Sequence, residues 1–212
     1  MEKTTTPQEG LEERGPGAGD KEALEQFIGA ALLEEKETQY QLSVIYELWW
    51  GDFEKALDWL TKAAAQAHTE ALFCLGKCYA EGRGVPQDDE AASEYYAKAI
   101  NRGHLGAQFE LGLMYAEGRG VPQDSKLALR RLKKAADGGH LEAQFLLGKM
   151  YCEGQGVTLN KPWGCKLLQQ AGKAGHEEAM RLYKQFQKEV GPKRKAKAAK
   201  GDKAPVSPPP SS

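Results

Sequence analysis

Four histidines, His68, His104, His140 and His176, are all the histidines of this 212-residue chain, and each stands 36 residues after the last. Imidazole is the commonest protein metal ligand, so a regular set of four raises a metal site as the first chemistry to weigh. Cys74 and Cys78 add two thiols one helical turn apart, on a common face if the stretch is a helix. Spacing argues against both. Equivalent atoms of helical units packed side by side lie about 10 Å apart, whereas zinc holds its ligands at about 2 Å. Two thiols with no matching second pair are a weak zinc signal, and Cys78 stands where the next two copies carry Met114 and Met150, which points to an apolar core position. The histidines are expected to start helices, and no metal or cofactor is expected.

Two further chemistries can be weighed the same way. The glycine pairs Gly82-Arg83-Gly84, Gly118-Arg119-Gly120 and Gly154-Gln155-Gly156 lack the Lys-Ser/Thr of a phosphate loop and follow a helical pattern instead of opening one. No Ser/His/Asp or Cys/His set is discernible, so the chain reads as not an enzyme. Cys152 and Cys165 complete the cysteines, and none of the four recurs from copy to copy, which favours reduced thiols over a disulfide framework.

The elements that carry these residues are written three times, from His68 to Gly103, His104 to Gly139 and His140 to Gly175, without insertion. A fixed period in this range is the mark of stacked helical repeats. In each copy Ala71, Ala107 or Ala143 and then Leu75, Leu111 or Leu147 form the buried stripe of a first helix, which Tyr79, Tyr115 or Tyr151 completes. Gly76, Gly112 and Gly148 follow those leucines. Glycine in a helix costs about 1 kcal/mol relative to alanine, so its recurrence implies close approach by a second helix. The G-x-G-V turn ends the first helix, Asp88, Asp124 and Asn160 stand as N-caps of the second, and Gly103, Gly139 and Gly175 close the units.

This A-x-x-x-L-G-x-x-Y-x-x-G-x-G-V pattern, three times in tandem, resembles the Sel-1-like repeat family, a relative of the tetratricopeptide repeats. The resemblance covers His68–Gly175 strongly and Glu35–Ala67 loosely. It implies an all-α fold, a right-handed α-α superhelix of antiparallel helix pairs with first helices on the concave side, and a role as an adaptor in assembling complexes. Secreted cysteine-rich relatives linked to β-lactam binding or hydrolysis carry a cysteine pair in each repeat; the corresponding alanine-rich segments here lack it.

The array extends both ways. Residues 20–34 read as an N-terminal half-repeat, 35–67 as a shorter pair in which Trp49-Trp50-Gly51-Asp52 replaces the G-x-G-V turn, and 176–190 as a capping helix. Residues 1–19 and 191–212 are expected to be disordered. The formal net charge of −1 conceals an asymmetry: Met1–Glu37 holds ten acidic residues against four basic, and Gly191–Ser212 six basic against one acidic. The basic tail KRKAKAAKGDK supports an alternative role in non-specific nucleic-acid association, and as a basic run it also has the character of a nuclear localisation signal. No apolar run is long enough to span a bilayer and no secretory signal is visible, so a cytoplasmic location is expected.

For a protein or peptide partner, extended concave surfaces are what solenoids supply. Opposite the buried sector of the first helices lie Glu70, Phe73, Lys77 and Glu81, then Phe109, Leu113 and Glu117, then Glu142, Phe145, Lys149 and Glu153. The glutamates at 81, 117 and 153 make an acidic row. The aromatics Tyr40, Phe73, Phe109 and Phe145 make a second row, which either packs between neighbouring repeats or lines a groove. Trp49 and Trp50 cannot both face one helical core; one is exposed as a binding anchor, or both fill the shortened turn.

Overall fold

The computed structural model describes residues 28–29 and 35–190, with side chains to residue 188. The acidic N-terminus, most of the expected half-repeat and the basic proline-rich tail lie outside the described residues. The described chain runs α1 (Lys36–Ile45), a π-helical turn (Tyr46–Trp50), α2 (Phe53–Ala65), α3 (Thr69–Glu81), α4 (Asp89–Ile100), α5 (Leu105–Glu117), α6 (Ser125–Asp137), α7 (Leu141–Glu153), α8 (Lys161–Lys173) and α9 (Glu177–Val190). It forms two compact units, which divide between Arg102 and Gly103, at the junction of the first and second full repeats. The fold class is all-α, an array of antiparallel helix pairs. In the first unit α1 packs on α2, α2 on α3 and α3 on α4; in the second, each of α5 to α9 packs on the next.

Local chemistry sets the helix boundaries. His68, His104 and His140 are N-caps in extended backbone, and their Nδ1 atoms accept the N–H of Ala71, Ala107 and Ala143 at 3.1, 3.0 and 3.3 Å. His176 does the same for Ala179 at 3.2 Å. Second helices are capped by shorter side chains: the carboxylates of Asp88 and Asp124 and the amide oxygen of Asn160 accept the N–H groups of Ala91, Leu127 and Trp163. First helices end at Gly82, Gly118 and Gly154, with φ of 70°, 70° and 74°, a left-handed conformation that costs glycine nothing.

The small residues of the pattern let helices approach. A methyl group added at Gly148 would lie 2.8 Å from Leu168 Cγ and 3.1 Å from the Gly164 carbonyl oxygen, so α7 and α8 touch through backbone. Around that contact the second unit buries Leu132, Ala143, Leu147, Tyr151 and Leu167 in one cluster and Cys152, Leu168, Ala171, Ala179 and Phe186 in another. The first unit buries Leu42, Leu60, Ala63, Ala71, Leu75, Ala92, Tyr96 and Ala99. Its shortened pair makes the α1–α2 connection by a π turn followed by Gly51 at φ 60°, in place of the longer glycine–valine turn.

Candidate interaction faces

Three of the histidines, His68, His140 and His176, have two structural tasks. While Nδ1 caps the helix, the ring lies flat on an aromatic side chain of the preceding first helix. Tyr40 stacks on His68 at 4.8 Å, Phe109 on His140 at 4.9 Å and Phe145 on His176 at 4.4 Å. Three members of the aromatic row therefore pack between repeats, while Phe73 leans on Tyr96 at 5.8 Å. An Nδ1 that accepts from backbone is a neutral imidazole with its hydrogen on Nε2, which fits the 3.0 Å contact from His68 Nε2 to Glu37 Oε2. Among the described residues no group of three or more His, Cys, Asp or Glu side chains is placed to hold a metal ion.

The residues expected to face a partner are only partly free to do so. Phe109 and Leu113 rest against one core cluster and Phe145 against the other. Lys77 Nζ sits 6.0 Å from the centre of the Phe73 ring. The acidic row is partly neutralised: Glu81 Oε2 lies 2.8 Å from Arg83 Nε, and Glu117 Oε2 lies 4.0 Å from an Arg119 terminal nitrogen. Arg83 also reaches Glu47 at 2.8 Å, tying its turn to the π turn of the shortened pair. Glu142 lies 3.6 Å from His140 Nδ1. Glu70 and Glu153 are exposed and Lys149 is half-buried.

Trp49 is the exposed member of the tryptophan pair, at 48%, whereas Trp50 is half-buried and tilts against Tyr46 at 5.3 Å. Leu48 and Phe53, close to it in the chain, are also exposed at 73% and 45%, apolar exposures that the repeat pattern does not announce because they belong to the one irregular unit. Also missed are Gln39, Gln108 and Gln144, buried polar residues at one register of three first helices. Gln144 Nε2 donates to the Ala136 carbonyl at 3.0 Å and Gln108 Oε1 accepts from Arg131 at 3.3 Å. The alignment of Gln39 with the latter two was the available signal.

The surroundings of Cys74, Cys78 and Cys152 disfavour their thiolates. Burial pushes the Cys74 thiol up to about 11, with Glu70 adding to the rise, and burial raises Cys78 as well. Cys152 is raised by its hydrogen bond to Cys165 and by burial. Tyr40, beside Cys74, is pushed up to about 12, chiefly by burial.

Solved structures share this arrangement. A protective antigen of uropathogenic Escherichia coli displaying an SLR fold is 35% identical, with a TM-score of 0.68 over 74% of this chain and 34% of its own. A Sel1 repeat protein from Oxalobacter formigenes is 29% identical, with a TM-score of 0.70 over 76% of this chain and 66% of its own. An immunity protein of Pseudomonas aeruginosa, 24% identical with a TM-score of 0.53 over 68% of this chain and 55% of its own, shares the fold. The chain thus spans about a third of the E. coli antigen and just under two thirds of the Oxalobacter protein. No curated protein matches it significantly. Among the described residues no helix is long and apolar enough to cross a membrane. The Sel1 repeat model matches residues 36–68, 69–104, 106–140 and 141–176, well over half of the sequence, and the chain belongs to the Sel1 repeat family.

Proposed function

We propose that this protein is a non-catalytic adaptor that binds a protein or peptide on the exposed sides of its first helices. Sel1 repeat proteins are generally protein-interaction scaffolds. The observation that carries the reading here is a division of labour within the repeat. The residues that recur, from the capping histidines to the alanine, leucine and glycine stripe, are consumed by packing. At two registers where side chains face out, the copies differ: Glu70, Gly106 and Glu142, or Lys77, Leu113 and Lys149. A scaffold with fixed packing and variable facing positions suits selection of a partner, with specificity carried by the variable residues.

The test is comparative capture by the full chain and by variants reversed at Glu142 and Lys149. Loss of the species retained by the unaltered chain, at unchanged melting temperature, is the expected result. Retention of the same species by the double variant places the site elsewhere.

A further inference from the structure

The second unit also holds a cavity that the first-helix reading does not use. It has a volume of about 1120 Å³ and lies between α6 and the turn that follows α7. Four cations of α6 line it, Lys126, Arg130, Lys133 and Lys134, against two carboxylates, Asp124 and Asp137. Asp124 is already engaged as the N-cap, accepting from the Lys126 and Leu127 N–H groups. None of the four cations forms an ion pair with a carboxylate among the described residues. Lys133 Nζ instead sits 5.9 Å from the centre of the Tyr151 ring. The helix at the same place in the preceding repeat, α4, carries Asp89, Glu90 and Glu94 against Lys98. The basic face of α6 is therefore absent from α4.

A second observation points to a ligand. Tyr151 lines the cavity and is 1% exposed, and its hydroxyl has no hydrogen-bond partner among the described residues. A buried hydroxyl left unpaired costs stability, so a group able to pair with it has a free-energy reason to enter. Leu129 and Val157, which pack against the core, also line the cavity and give it an apolar component.

We propose that this cavity binds an extended acidic peptide segment of a partner protein. The charge geometry favours a chain over a single phosphate. Lys126 to Lys134 spans about 12 Å along the helix at the standard rise, a line of charge instead of a convergent cradle. Alternate side chains of an extended peptide lie about 6.6 Å apart, close to one helical turn of about 5.4 Å. Carboxylates on one side of the peptide meet the α6 cations in succession, and one of them or a peptide carbonyl accepts from the Tyr151 hydroxyl. The proposal rests on the reading of the chain as an interaction module, but assigns a face of its own.

The experiment is fluorescence anisotropy of the full chain with a labelled peptide alternating glutamate with leucine, and with its glutamine analogue. The glutamate peptide should bind in a salt-sensitive manner and the analogue weakly. Arg130→Glu with Lys133→Glu should weaken the glutamate peptide at least about tenfold, as loss of complementary charge does. Tyr151→Phe should weaken it about threefold or more while leaving the melting temperature unchanged or raised, since it removes an unpaired buried hydroxyl. Lys149→Glu, on the first-helix side of α7, should have no effect. Equal binding of the two peptides overturns the proposal, as does insensitivity to the α6 variants. A labelled single-stranded oligonucleotide that outcompetes the peptide through the same cations also overturns it, in favour of a phosphate polymer. If Lys149→Glu alone abolishes binding, the cavity is rejected while the first-helix reading stands.

Discussion

Replacing His140 tests the physical core of the repeat. Its Nδ1 caps α7 through the Ala143 N–H, and its ring stacks on Phe109 of α5. Loss of an N-cap side chain costs about 1 kcal/mol, and an aromatic pair contributes about 0.5–1.5 kcal/mol beyond its buried area. His140→Ala should therefore cost about 2 kcal/mol, and His140→Asn, which keeps an acceptor but loses the ring, about 1 kcal/mol. For a chain of this size, each kcal/mol lowers the melting temperature by about 2–4 °C. Urea denaturation of the parent, both variants and Phe109→Leu with its double mutants separates the two tasks. Coupling between His140 and Phe109 should survive in the cycle made with alanine and vanish in one that starts from His140→Asn. If His140→Asn is as damaging as His140→Ala, the cap contributes nothing and the reasoning fails.

The same residue sets a pH dependence. Burial holds the His140 imidazole below its ordinary 6.5, opposed by Glu142 and reinforced by His104. The folded state thus prefers the neutral ring, and the unfolded chain binds more protons between the two values. The contribution of His140 to stability is complete above its ordinary value and is lost as pH falls through the depressed folded value. The stability difference between parent and His140→Asn should shrink on acidification across that window, and a difference that grows would contradict the sign. Gly148→Ala should destabilise by about 1–3 kcal/mol, because its methyl meets Leu168 and the Gly164 carbonyl oxygen; an unchanged melting temperature would show that the helices can separate without penalty. Gln144→Leu, which removes one of two donors from the Ala136 carbonyl and leaves it the Gly139 N–H, should cost about 0.5–1.5 kcal/mol, measured by denaturant unfolding, with a neutral result refuting the contribution of the side-chain hydrogen bond. A disulfide reagent at mildly alkaline pH should label the raised thiols of buried Cys152 and half-buried Cys74 and Cys78 slowly in the folded chain and quickly in denaturant; rapid native labelling would contradict the raised values.

What was legible in the sequence was what the repeat writes more than once. Three copies of a helix-ending glycine and of an Asp or Asn before the next helix specify boundaries by local sterics and capping, which need no knowledge of neighbours. The close approach at Gly148 could be inferred because only packing explains a costly glycine at a fixed register. Contacts between repeats were less accessible. That an aromatic of one first helix meets the histidine of the next depends on how the units stack, so the aromatic row could be read as packing or as groove. The pairing of Glu81 with Arg83 turned part of an apparent acidic row into a local ion pair, because the arginine of the turn folds back on the helix it ends. The exposed apolar residues Leu48, Trp49 and Phe53 and the cavity beside α6 lay outside periodic reasoning, since each occurs once.

The central claim is that the side chains facing out from the first helices, and not the recurring ones, select a partner. Photo-crosslinking tests it most directly, with a benzophenone amino acid placed singly at Lys77, Leu113 or Lys149 of the first helices, or at Glu94 or Lys166 of the second. The adaptor reading predicts one shared partner species crosslinked from the first-helix positions and little from the second. Crosslinks confined to the second-helix positions, or none from any first-helix position, would contradict it.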